Sequence, residues 1–231
     1  MFSAEVSVDL LLMQPVIEYS LKEQRQFLAK HNITFLYPLV LAKEKVGDLL
    51  ASQITVQNAN DAALGRAFLK LLKENLTDDV LEHPLFVKVL FQTLCEYVTT
   101  LTSSSGGPGH IATKEEITVE QKLFVKMLPV VAKFVGERKD SQVDLIYALQ
   151  TFCHANKFPK GLLLRISVYL YDESVVEEAA WMKWREDLRE GEPGKGEALV
   201  ALNEYLNWME EGMYVTTTTP PYYVVLFSQL L

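Results

Sequence analysis

Apolar residues recur at three- and four-residue intervals through most of this chain, and the strict alternation of a strand is absent until residue 214. That period fixes the fold class as all-α. TFLYPLVLAKEKVGDLL (34–50) is apolar at Phe35, Leu36, Leu39, Val40, Val46, Leu49 and Leu50, with Pro38 in a first turn where a missing N–H is tolerated. DAALGRAFLKLLKEN (61–75) repeats Leu64, Phe68, Leu71 and Leu72, and HPLFVKVLFQTLCEYV (83–98) opens on a proline. LKEQRQFLAKH (21–31), EQKLFVKMLPVVAKFVGE (120–137) and QVDLIYALQTFCHAN (142–156) read as further amphipathic helices. FPKGLLLRISVYLYD (158–172) is apolar nearly all round, which predicts a buried central helix. A last pair, ESVVEEAAWMKWREDLRE and GKGEALVALNEYLNWMEE, is joined by the turn GEPGKG. Roughly ten helices with short connections predict antiparallel hairpins stacked as an irregular HEAT-like array.

With 231 residues, 49% of them hydrophobic, the chain can bury one sizeable core. We expect a lead-in over 1–20, one helical domain over 21–211, and an atypical apolar tail over 212–231. TSSSGGPGHIATKEE (102–116) is polar, rich in Ser and Gly and without a period, so it reads as a mobile loop inside the domain. The start has no basic region before its apolar part, and no run of eighteen apolar residues exists. Neither a signal peptide nor a membrane span is expected, and the chain reads as cytoplasmic.

Charge is unevenly spread. The formal net charge is −8. Residues 171–211 hold twelve acidic and four basic side chains, and eighteen of each remain elsewhere. The whole excess therefore sits in one segment, together with all three tryptophans, Trp181, Trp184 and Trp208. A net-negative chain is a poor nucleic-acid binder, and an acidic patch steers a basic partner.

Catalytic patterns are wanting. GEPGKGEA resembles a phosphate loop, but Arg189 and Gly196 stand where glycine and a hydroxyl residue are required, and a helix precedes it instead of a strand. His31, His83, His110 and His154 lack metal-ligand spacing. Cys95 and Cys153 fall in apolar helical contexts and read as buried free thiols, and Cys153 and His154 point about 100° apart on a helix. No enzyme activity and no cofactor are expected.

The acidic–aromatic segment remains. On a helix, Glu177, Trp181, Trp184 and Leu188 form one stripe, and Trp208 stands beside Glu210 and Glu211. Packed core behind a solvated charged face is one reading. The other is a docking face, where carboxylates take ammonium groups and a ring with one wet edge takes lysine stems.

YDESVVEEAAWMKWRED and ALNEYLNWMEE resemble the two acidic–aromatic boxes of the C-terminal two-tryptophan HEAT domain. That domain occurs in translation initiation factor 5, the epsilon subunit of the factor 2 exchange factor, and the factor 4 gamma group. LAKHNITFLYPL, YALQTFCHANKFPKGLLLR and EPGKGEALVALNEYLNWME extend the resemblance over roughly residues 13–211, nearest to the death-associated, cap-independent branch of the factor 4 gamma group. The resemblance implies a non-catalytic, protein-binding adaptor of translation initiation. It would bind the Lys-rich segment of the beta subunit of initiation factor 2 and also a MAP kinase-interacting kinase.

By the same resemblance the name-giving tryptophans are Trp184 and Trp208. The box carboxylates are Asp172, Glu173, Glu177, Glu178, Glu186, Asp187, Glu210 and Glu211, with Trp181 in an aromatic position. Trp181 stands where the family has Phe and Tyr205 where it has Trp. After Glu211 the acidic tail of such proteins is replaced by GMYVTTTTPPYYVVLFSQLL, and the chain corresponds to a C-terminal portion of them. A rival reading is a structural helical module that self-associates through this tail; truncation at residue 212 tests it by the loss of an oligomer.

Overall fold

A computed structural model describes residues 37–104, 111–136, 139–187, 189 and 192–212, with 26, 29 and 30 besides. Among the described residues it contains nine α-helices and no strand. They are α1 (Tyr37–Gln53), α2 (Leu64–Asn75), α3 (Asp78–Leu81), α4 (Phe86–Thr102), α5 (Lys114–Val135), α6 (Lys139–Ala155), α7 (Leu162–Asp172), α8 (Glu178–Glu186) and α9 (Lys195–Gly212). The lead-in over 1–20, nearly all of the helix expected over 21–31, and residues 213–231 of the apolar tail lie outside the described residues.

The helices form two layers. One row runs α1, α4, α6, α8 and the other α2, α5, α7, α9, each helix packing on the next in its row. Across the layers α1 pairs with α2, α4 with α5, α6 with α7 and α8 with α9. The architecture is thus the expected all-α, HEAT-like stack of hairpins, with four-residue α3 as a connector. No period could reveal α3, because four residues make barely one turn.

Local chemistry sets the ends. Thr113 caps α5 and Glu116 reaches back to the Thr113 N–H, a reciprocal capping box that starts the helix at Lys114. The stretch read as a loop over 102–116 is therefore helical at both ends, and residues 105–110 lie outside the described residues. Pro84 sits two residues ahead of α4, and Pro38 is the second residue of α1.

The core is continuous from Leu39 to Met209. α4 and α6 are buried along most of their length because each has neighbours on both sides and in the other layer. α7 buries Leu162, Leu163, Ile166, Tyr169 and Leu170, as its apolar run predicts, but also Arg165. The Arg165 guanidinium donates through Nε and Nη2 to the two carboxylate oxygens of Glu120 on α5, each at 3.0 Å. This fork satisfies both charges where water does not reach. Cys95 and Cys153 are free and fully buried, as expected, and burial holds both thiols protonated by raising their pKa.

Candidate docking site

Helix α8 lies between α6 and α9. Nine residues packed on two sides cannot expose either aromatic of the stripe, and Trp181 and Trp184 are both 0% exposed. A tryptophan with a wet edge at 181 or 184 is therefore not found. Each buried indole removes about 200 Å² of largely apolar surface from water, worth about 5 kcal/mol as an upper figure. Trp208 on α9 is half-buried.

The three tryptophans belong to one file of rings. Tyr147 meets Trp184 at 6.4 Å between centroids, and Trp184 meets Trp181 at 6.3 Å. Trp181 meets Tyr205 at 5.8 Å, Tyr205 meets Trp208 at 6.1 Å, and Trp208 meets Tyr171 at 5.9 Å. Most contacts are edge-to-face, the geometry ring quadrupoles favour. The file starts in the core at α6 and ends at Tyr171, one residue before the end of α7.

At Tyr171 the file reaches acid. An open cavity of about 600 Å³ is lined by Tyr171, Asp172, Ser174, Val176, Glu177, Glu178 and Ala179. It forms where α7 stops and the chain turns into α8. The turn is fixed by Val175 and Val176, whose N–H groups both donate to the Leu170 carbonyl and whose side chains are buried. Glu177 precedes α8 as its cap residue, and its N–H donates to Gln142 Oε1 at 2.9 Å. Glu177 and Asp172 are exposed, and Glu173 closes α7 beside them.

The electrostatics are those of crowded like charges. The Tyr171 hydroxyl donates to Glu178 Oε1 at 2.8 Å, and its pKa is pushed up to about 12, by burial first and then by Glu178 and Asp172. The Glu173 carboxyl is also raised, by burial and then by the charge of Asp172, against an opposing pull from Lys126. An ammonium group placed here relieves that repulsion.

The remaining carboxylates do not join this cavity. Glu186 and Asp187 sit at the far end of α8, about 12 Å along the helix axis. Asp187 lies 3.6 Å from Arg189. Glu210 pairs with Arg185 at 2.9 Å, and Arg185 also donates to Asn207, tying α8 to α9. Glu210 and Glu211 are both exposed near the end of α9. The eleven sequence-derived residues thus resolve into three carboxylates that line the open cavity (Asp172, Glu177, Glu178), Glu173 beside it at the end of α7, carboxylates at the ends of α8 (Glu186, Asp187) and α9 (Glu210, Glu211), and three tryptophans in the file of rings. Tyr171 and Val176 were missed. Tyr171 opens the stretch that resembles the first acidic–aromatic box, and an aromatic directly before Asp172 was the available signal.

The turn before α9 is held from below. Gly194 has φ +80°, and a Cβ there would lie 2.7 Å from the Cβ of His154. Lys195 places its ammonium 3.7 Å from the Trp184 ring centroid and donates to the Trp184 carbonyl near the end of α8. The look-alike of a phosphate loop is therefore a helix-to-helix turn clamped against the aromatic file. Among the described residues, no group of His, Cys, Asp and Glu is placed to hold a metal ion, and no helix is long and apolar enough to cross a membrane.

Residues 141–212, which contain the cavity, the aromatic file and the clamped turn, match the family described as W2: eIF4-gamma/eIF5/eIF2-epsilon. This segment is an eIF4-gamma-type W2 domain. The likeness extends beyond the W2 domain: the chain is 31% identical over 210 residues to eukaryotic translation initiation factor 4 gamma 2 of mouse and of human, covering 88% of this chain. It is 24% identical over 172 residues to human translation initiation factor 4 gamma 3, covering 74% of this chain and 10% of that protein. It is 33% identical over 82 residues to the translation initiation factor eIF2B subunit epsilon of Dictyostelium discoideum, covering 36% of this chain and 11% of that protein. The chain spans about a fifth of the length of the factor 4 gamma 2 proteins it matches (22%).

Proposed function

We propose that this chain is a non-catalytic adaptor module of translation initiation, acting in the cytoplasm, whose W2 domain docks a Lys-rich segment in the acidic cavity between α7 and α8. The beta subunit of initiation factor 2 is the partner we assign, with a MAP kinase-interacting kinase as a second client of the same face. Membership of the cap-independent branch of the factor 4 gamma group belongs to the same reading. The observation that carries it is the convergence of Asp172, Glu177 and Glu178 on one open cavity floored by Tyr171 and Val176. Carboxylates on the rim take ammonium groups, and the aromatic and aliphatic floor takes their alkyl stems. Trp181 and Trp184 serve from inside by fixing α8, and Trp208 fixes Tyr171.

Titration calorimetry against a Lys-rich peptide from the beta subunit, at low and moderate salt, tests the reading. Micromolar binding should weaken as the Debye length shortens to about 8 Å near 0.15 M salt. It should be lost in Glu177→Lys/Glu178→Lys with the helical signal unchanged. Absence of binding by the folded chain at low salt would sink the assignment.

A further inference from the structure

Helices α2 and α5 are neighbours in the second layer, and their outer faces are predominantly basic. On α2, Arg66, Lys70 and Lys73 follow helical spacing, and all three are exposed opposite the buried Leu64, Phe68 and Leu72. On α5, Lys122, Lys126 and Lys133 lie opposite the buried Leu123, Phe124, Met127 and Val131, with Lys122 and Lys133 exposed and Lys126 half-buried.

The two rows are held close. Gly65 sits so near α5 that a Cβ there would lie 2.4 Å from the Lys126 carbonyl oxygen. Among the described residues, only Lys70 of these six cations is ion-paired, with Glu74 at 3.6 Å. The acid nearest in sequence on α5, Glu120, is buried against Arg165 and does not offset the row.

Farther along the same layer the outer face changes character. α7 presents half-buried Leu164, Val168 and Tyr171, and α9 presents exposed Glu197, Glu204 and Glu211. The charge of Lys126 is felt by Glu173 at the end of α7, so the basic and acidic fields meet there.

We propose that the α2–α5 face is a second docking surface, separate from the acidic cavity, and that its ligand is a short acidic peptide segment of a partner protein. Packed helices stand about 8–10 Å apart, so about three extended residues bridge the two rows. A long polyanion such as RNA would run from these rows into the acidic α9 end of the layer, roughly 20 Å on, and meet repulsion there. A short acidic segment feels the basic rows alone.

Fluorescence anisotropy with a labelled Glu/Asp-rich peptide of about twelve residues tests this, beside an RNA oligomer of the same length. The variants are Arg66→Glu/Lys73→Glu, Lys122→Glu/Lys133→Glu, and the milder Arg66→Gln/Lys73→Gln. The expected result is saturable peptide binding at low salt that falls at least about tenfold in each reversal and less in the Gln variant, with helical content kept. Binding of the Lys-rich peptide is unchanged by these variants, which separates failure of this face from failure of the acidic cavity. No acidic-peptide binding at low salt, binding indifferent to the reversals, or RNA binding tighter than the peptide would each overturn the proposal.

Discussion

The indole N–H of Trp184 donates to Gln150 Oε1 at 3.1 Å, and the amide nitrogen of the same glutamine donates to the Pro193 carbonyl at 2.6 Å. One fully buried amide on α6 therefore joins α8 to the turn that starts α9. Replacing it by Gln150→Leu strands a buried indole N–H and a backbone carbonyl. The expected loss is about 2–4 kcal/mol of unfolding free energy, read from urea denaturation. Trp184→Phe should cost a comparable amount through lost volume. Because the two groups share one bond, the double variant should cost less than the sum of the singles.

The buried fork between Arg165 and Glu120 gives a sharper signature. Arg165→Met leaves Glu120 charged without a partner and should cost about 3–5 kcal/mol. Glu120→Leu/Arg165→Met removes both charges and should restore most of that. A double-mutant cycle by thermal or urea unfolding checks it, and equal damage from single and double variants would contradict the pairing.

Two tyrosines make stability depend on alkaline pH. The pKa of Tyr171 and of Tyr147 is pushed up to about 12, in both by burial foremost. Carboxylates add to this: Glu178 and Asp172 at Tyr171, Asp187 at Tyr147. A raised folded pKa means that the folded state holds its phenolic protons after the unfolded chain has released them. The stabilisation is fully present below the ordinary tyrosine value near 10 and is lost as pH rises towards about 12. Unfolding free energy should fall across that window, and Tyr171→Phe should flatten the decline.

At the α9 turn, Gly194→Ala forces a side chain into a left-handed backbone conformation and against His154. A loss of at least about 1–2 kcal/mol is expected from the conformation alone. If the turn also positions α9, hydrogen exchange in Lys195–Gly212 should quicken more than in α1.

Periodicity made the helices legible, but not the start of α5, where Thr113 and Glu116 form a capping box inside the stretch read as a loop. The layering was visible only as short connections between amphipathic segments. What stayed hidden depends on partners distant in sequence. Trp181 and Trp184 lie on one stripe, and a stripe does not say that α6 closes its other side. Glu192 read as a turn residue, yet it is buried and bound by Lys88 of α4 at 2.9 Å. Arg165 interrupts a nearly apolar helix, and its partner Glu120 lies forty-five residues earlier. Within the candidate site, the resemblance named the carboxylates as neighbours in sequence. It could not divide them into the cavity group and the group at the helix ends, because the length of α8 separates them.

The file of rings from Tyr147 to Tyr171 gives this protein an intrinsic optical probe. The indoles of Trp181 and Trp184 are sealed from water, and the half-buried Trp208 touches the tyrosine that lines the acidic cavity. A peptide seated on Tyr171 changes the surroundings of one emitter and leaves two in the dry interior. Its arrival should be readable from the colour of the protein's own light, with no label attached.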